Sequence, residues 1–170
     1  MASIYGVELK SIKTWEGAEG MGLQANVYID KKLAGQVTDD AWGGGFRYDF
    51  DTAELDKRAE KYRKNIWSKN PENAKYLSLY KNGAEFEDQF IDEIFNLREA
   101  EKAFNKAQKT KWTHLVRYQV GQNGVTREIT CLAAVSDANL QKDLAKQRKC
   151  ADSEILIKHR YKNASEFVIA

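Results

Sequence analysis

Residues Trp112–Gln122 and Val125–Ala133 alternate apolar and polar side chains on either side of Asn123-Gly124. Asn-Gly is the preferred pair for a two-residue type I′ turn, because both positions need a positive φ. The pattern therefore predicts an antiparallel hairpin in one register, with Gln122 opposite Val125 and Val116 opposite Cys131. Trp112, His114, Val116, Tyr118, Val120, Val125, Ile129 and Cys131 then share one face. Arg117, Gln119, Glu128 and Thr130 occupy the other, which is expected to be wet.

A second strand-rich region lies at the other end of the chain. Leu23, Ala25, Val27 and Ile29 alternate with Gln24, Asn26 and Tyr28, the period of a half-buried strand. Asp30-Lys31-Lys32 reads as a tight turn into a strand over Leu33–Thr38. Val7, Leu9 and Ile12 slip by one residue from strict alternation, which predicts a bulge. Next comes Thr38-Asp39-Asp40-Ala41-Trp42-Gly43-Gly44-Gly45-Phe46-Arg47-Tyr48. Three successive glycines leave φ and ψ almost unrestricted, so this run is read as the corner of a meander of about four strands. Beyond it Phe46, Tyr48 and Phe50 share a face.

Between the two strand regions the period changes to that of helices. Asp51 and Thr52 are N-cap candidates for a helix to about Trp67, with Leu55, Ala59, Tyr62 and Ile66 on its apolar face. Asn70-Pro71-Glu72-Asn73 breaks it. A longer helix is expected from about Ala84 to Lys109, with Phe86, Phe90, Ile94 and Leu97 as its stripe, widened by Ile91, Phe95 and Phe104. Its acids precede its bases, which suits the helix dipole. After the hairpin, Ser136 caps a short helix to about Lys149 with Leu140 and Leu144 inward. Ile155 and Ile157, then Phe167–Ile169, read as strands. Strands, helices, hairpin, helix and terminal strands in that order indicate an α+β fold. One domain over residues 1–170 is expected, with subdivisions at 1–50, 51–110 and 111–170.

Composition narrows the classes of function. With 27 Lys and Arg against 25 Asp and Glu, net charge gives no strong drive toward nucleic acid. A single proline argues against long linkers. Cys131 and Cys150 read as reduced thiols rather than a disulfide framework. The start of the chain has no basic, then apolar, leader pattern, and no apolar window nears the roughly 18 residues that span a bilayer. A soluble, cytoplasmic protein is the expectation.

No constellation of catalytic residues stands out. The glycine run lacks the Lys-Ser/Thr ending of a phosphate loop and enters a strand rather than a helix. His114 and Cys131 fall diagonally on one hairpin face among apolar neighbours, a setting for an inert core thiol rather than a nucleophile. His114, His159, Cys131 and Cys150 lack metal-ligand spacing. No catalytic residue, cofactor or metal is expected, and the protein is read as non-enzymatic. The candidate binding residues are of three kinds. Trp42, Phe46 and Arg47 flank the glycine run, where Trp and Arg suit a contact surface. Glu85 and Asp88 belong to an acidic segment able to mimic phosphate. Lys57, Arg58 and Lys61 on the first helix, and Lys146, Arg148 and Lys149 near the C-terminus, are either solvated faces or phosphate contacts.

One resemblance covers residues 5–50. Its pattern is Val7-Glu8-Leu9-Lys10-Ser11-Ile12-Lys13, Gln24-Ala25-Asn26-Val27-Tyr28-Ile29-Asp30, Gly35-Gln36-Val37-Thr38-Asp39-Asp40, Gly43-Gly44-Gly45 and Phe46-Arg47-Tyr48. This stretch resembles small accessory proteins carried by phages and other mobile elements, and it brings no site residues with it. The resemblance implies a bacterial cytoplasm and an inhibitor of host defence, anti-CRISPR proteins included, acting by occupying a larger protein or ribonucleoprotein. The alternative is a nucleic-acid-binding accessory protein that uses the basic helices.

Overall fold

The computed structural model describes residues 1–77, 80, 86–109, 114–122, 125–133 and 137–170. The fold is α+β, as the order of patterns requires, and it divides into two compact units. The first comprises residues 1–98 and 167–170, the second residues 99–166.

The first unit is built on a six-stranded sheet. Its strands are β1 (Ser3–Ile4), β2 (Val7–Gly17), β3 (Gly20–Ile29), β4 (Lys32–Asp39), β5 (Arg47–Tyr48) and β9 (Val168–Ile169), in the order β5-β4-β3-β2-β1-β9. β2 to β5 form the expected antiparallel meander. The slip in β2 is a bulge between Lys10 and Lys13, and Ser11 within it has φ 53°. Asp30 and Lys31 take φ 48° and 68°, so the hairpin from β3 to β4 closes through a two-residue turn of the primed kind. Tyr5 (φ 47°) and Gly6 (φ 77°) do the same between β1 and β2. The terminal strand β9 pairs in parallel with β1.

Helix α1 (Ala53–Asn65) and helix α2 (Glu87–Ala107) supply the other half of this core. Val7, Leu9, Leu23, Ala25, Val27 and Val37 from the sheet are buried with Leu55, Ala59 and Tyr62 from α1, and with Phe90, Ile91 and Ile94 from α2. Asp51 takes the capping role at α1 by accepting from Ala53 N–H (3.0 Å), while Thr52 makes no such bond. Two expectations are corrected here. Helix α1 ends at Asn65, which leaves Ile66 37% exposed and puts Trp67 in a 3-10 turn over Trp67–Lys69. Pro71, in the stretch expected to break the helix, opens a second 3-10 turn over Pro71–Tyr76. Helix α2 is shorter than 84–109, beginning at Glu87 and ending at Ala107.

The second unit holds β6 (His114–Gln122), β7 (Val125–Ala133) and β8 (Ile155–Tyr161) in the order β7-β6-β8. The hairpin register is the expected one, with Gln122 opposite Val125 and Val116 opposite Cys131. Its turn residues, together with Trp112 and the cap candidate Ser136, lie outside the described residues. Val116, Tyr118 and Val120 are buried with Leu140, Leu144 and Ala145 of helix α3 (Asp137–Arg148) and with Ile155. The face expected to be wet is not uniformly so. Leu115 and its cross-strand partner Tyr161 are buried on it.

Candidate functional site

The chain between β4 and β5 combines two Asx turns, positive-φ glycines and an exposed Trp. Two successive aspartates set its entry. Ala41 N–H donates to Asp39 Oδ1 (2.8 Å), and Trp42 N–H donates to Asp40 Oδ1 (3.1 Å). Asx turns of this kind replace a backbone bond with a side-chain one. Ala41 is buried at φ 61°, and its carbonyl accepts from Glu19 N–H (3.0 Å) at the tip of the hairpin formed by β2 and β3. Gly43 and Gly45 have φ 81° and 71°, values that L-residues rarely adopt, so the glycine run is conformationally required at two positions.

The exit from the loop is held by helix α2. Phe46 N–H donates to Asp88 Oδ2 (3.1 Å), and Tyr48 Oη donates to Asp88 Oδ1 (2.7 Å). Burial and the Asp88 carboxylate together push the Tyr48 phenol far above its usual range, so it stays a neutral donor. Phe46 and Tyr48 pack half-buried against the core. Trp42 instead points into solvent, 72% exposed, and Arg47 is largely exposed and paired with Asp40. The loop is thus fixed at both ends and carries a free indole between them.

The other expected binding residues are deployed differently. Glu85 lies outside the described residues. Arg58 donates to the carbonyl of Tyr5 (2.5 Å) and pairs with Asp30 and Glu54 (2.8 Å each), so it clamps two turns to α1. The Arg58 guanidinium holds both carboxyls below their ordinary pKa. Lys57 reaches Glu54 (3.5 Å), and the Lys61 ammonium lies 4.1 Å from the centroid of the Tyr5 ring. In the second unit Lys146 and Lys149 are exposed at the end of α3, and Arg148 donates to Tyr118 Oη (3.1 Å).

His114 pairs across the hairpin with Ala133 and Cys131 with Val116, the diagonal relation expected of them, but their side chains lie outside the described residues. Among the described residues no group of three or more His, Cys, Asp or Glu is placed to hold a metal, and no helix is long and apolar enough to cross a membrane. Sequence reasoning missed the open cleft of about 520 Å³ at the tip of the hairpin formed by β2 and β3, lined by Thr14, Trp15, Glu16, Gly17, Gly20 and Met21. Its only local signal was a Trp and a Met flanking closely spaced glycines. No family model, curated protein or solved structure matches this chain.

Proposed function

We propose that this protein works by binding rather than by catalysis, presenting the loop between β4 and β5 to a macromolecular partner. The observation that carries the proposal is Trp42, a largely exposed indole on a loop whose backbone is tied down on both sides. An aromatic held this way loses little freedom on docking and offers a large apolar area. The resemblance of residues 5–50 narrows the proposal to a cytoplasmic inhibitor of a bacterial defence system, with a nucleic-acid-guided nuclease as the first partner to try. The test is a nuclease inhibition assay with the full chain and its Trp42→Ala variant, paired with affinity capture from the bacterial host. Inhibition and capture that both depend on Trp42 support the proposal; indifference of both to Trp42 defeats it.

The competing reading, nucleic-acid binding through the basic helices, draws on the exposed Lys146 and Lys149 at the end of α3. Arg58, Arg63 and Lys64 speak against it on α1, since each is paired with a carboxylate of the same helix. Affinity for DNA or RNA that falls steeply with salt is its signature.

A further inference from the structure

We propose that the end of the first unit around Trp42 docks a cationic segment of a protein partner, one that carries arginine or lysine beside apolar side chains. This rests on the binding reading above and adds the chemistry of what is bound. Two other apolar side chains are exposed at the tip of the neighbouring hairpin, Met21 (58%) on the face it shares with Glu16 and Trp15 (38%) on the opposite face, over Gly22. Backbone geometry holds them there. The Trp15 indole lies directly over Gly22, Glu16 pairs with Met21, Gly17 packs against Ala41, and Glu19 N–H bonds to Ala41 O. Trp15 and Met21 line the open cleft, and Ala41 joins that hairpin tip to Trp42. Exposed apolar side chains bordered by charged ones are a common form of interaction surface.

The rim selects the partner. Glu16 lines the cleft, and the Glu19 carboxylate rests against Gly43. Asp39 and Asp40 lead into the loop, and Asp88 closes it from helix α2. Asp92 stands close enough to Asp39 and Asp88 to feel their charge. Arg47 pairs with Asp40, and of the acids named here Glu16, Glu19, Asp39 and Asp92 have no cationic partner among the described residues. Such a field repels nucleic acid and attracts a basic segment. A guanidinium can fork onto a carboxylate while its neighbour stacks on the Trp42 face. The alkyl stems of arginine and lysine match Met21, which stands on the same face as Glu16.

Fluorescence anisotropy on the full chain tests this with a labelled peptide that alternates arginine and leucine, against a counterpart carrying glutamate for arginine. The arginine peptide is expected to bind, more weakly as salt rises, and the glutamate peptide not to bind. Trp42→Ala should weaken binding about tenfold, the scale of a single hot-spot side chain. The double change Glu16→Gln and Glu19→Gln should weaken it and flatten its salt dependence. Arg47→Ala, which removes the competing internal cation, should tighten it. These side chains are exposed or at a rim, and circular dichroism of each variant verifies its fold. Equal binding of the two peptides overturns the proposal, as does a failure of the arginine peptide to bind at low salt, or indifference to all three variants. If the nuclease assay depends on Trp42 while the arginine peptide is ignored, the cationic partner is wrong and the binding function stands. If the peptide binds as described while inhibition and capture ignore Trp42, the binding function assigned above is the one that fails.

Discussion

Removing the Asp88 carboxylate is expected to release the glycine loop while leaving the packed core in place. Asp88 accepts from Phe46 N–H at 3.1 Å and from Tyr48 Oη at 2.7 Å, and so ties helix α2 to the start of β5. A hydrogen bond to a charged group contributes about 1.5–3 kcal/mol when buried. Both bonds here are partly buried, which puts each near the bottom of that range. The variant Asp88→Ala also relieves Asp92 of a like-charged neighbour, which offsets a few tenths to about 0.5 kcal/mol. A net loss of about 2.5 kcal/mol remains, equivalent to a urea midpoint lower by about 1.2 M for an m-value of about 2 kcal/mol/M. Trp67, buried with its ring 5.1 Å from that of Phe86, reports the unfolding of this unit by fluorescence. Tyr48→Phe removes one of the two bonds, so a double-mutant cycle with Asp88→Ala should return a coupling of about 1 kcal/mol. Additive single effects, or a midpoint that Asp88→Ala moves by less than about 0.2 M, would show that the tether does not hold the loop.

Three further outcomes follow from local geometry. The Asp92 carboxyl is pushed up to about 6, first by partial desolvation of a side chain that stays exposed and then by Asp88, Asp39 and Glu93. A raised pKa means that the folded protein holds this proton more tightly than the unfolded chain, so stability grows as pH falls from about 6 toward the ordinary 3.8. Much of the side chain still meets solvent, so Asp92→Asn should stabilise by only about 1 kcal/mol at pH 7, and by nothing near pH 4; denaturation showing the same gain at both pH values would contradict this. Lys149 sits at φ 54° just beyond α3, where Cys150 N–H bonds to Ala145 O (3.1 Å) and Lys149 N–H to Lys146 O (3.3 Å). This is the Schellman geometry that favours glycine, so Lys149→Gly should raise the melting temperature of the second unit by a few degrees, and an unchanged or lowered value counts against it. Arg58→Ala should cost about 1–2 kcal/mol through the lost bond to the Tyr5 carbonyl, and Arg58→Lys should recover little of it, because an ammonium lacks the fork that serves Tyr5 and Asp30 together. Full recovery in a urea titration would reject the fork.

Where order came from neighbours in the chain, the sequence was readable. The alternation of Leu23, Ala25 and Val27, the slip before Ile12 and the turn at Asp30-Lys31 each depend on a few adjacent residues, and each appears in the fold. The stripe from Phe86 to Ile94 is likewise local. What escaped depends on distant chain. The terminal strand expected over Phe167–Ile169 is present as β9, but no local pattern shows that it pairs in parallel with β1 from the other end of the sequence. Leu115 lies on the face whose Arg117, Gln119, Glu128 and Thr130 read as wet, and its burial comes with Tyr161, a cross-strand partner far along the chain. Helix ends shifted for a related reason. Ile66 fits the apolar spacing of α1, yet the helix stops before it, and spacing alone says nothing about where tertiary contacts end.

The same distinction governs the charged residues, and there it reverses the apparent chemistry of the surface. Read along the chain, the basic run on α1 looked like a patch able to face a partner. In the fold Arg58 reaches the Tyr5 carbonyl, Arg63 and Lys64 pair with Glu60, and the Glu60 carboxyl is drawn down to about 2 chiefly by its bond to Arg63. The acids around Trp42 behave in the opposite way. Glu16, Glu19, Asp39, Asp40, Asp88 and Asp92 come from separate strands, turns and a helix, so no window of sequence shows them as a group. Tertiary structure therefore spends basic charge internally on α1 and gathers acidic charge around an exposed aromatic. In a chain with a formal net charge of +2, the contact surface proposed around Trp42 is thus one where acids outnumber bases among the residues named.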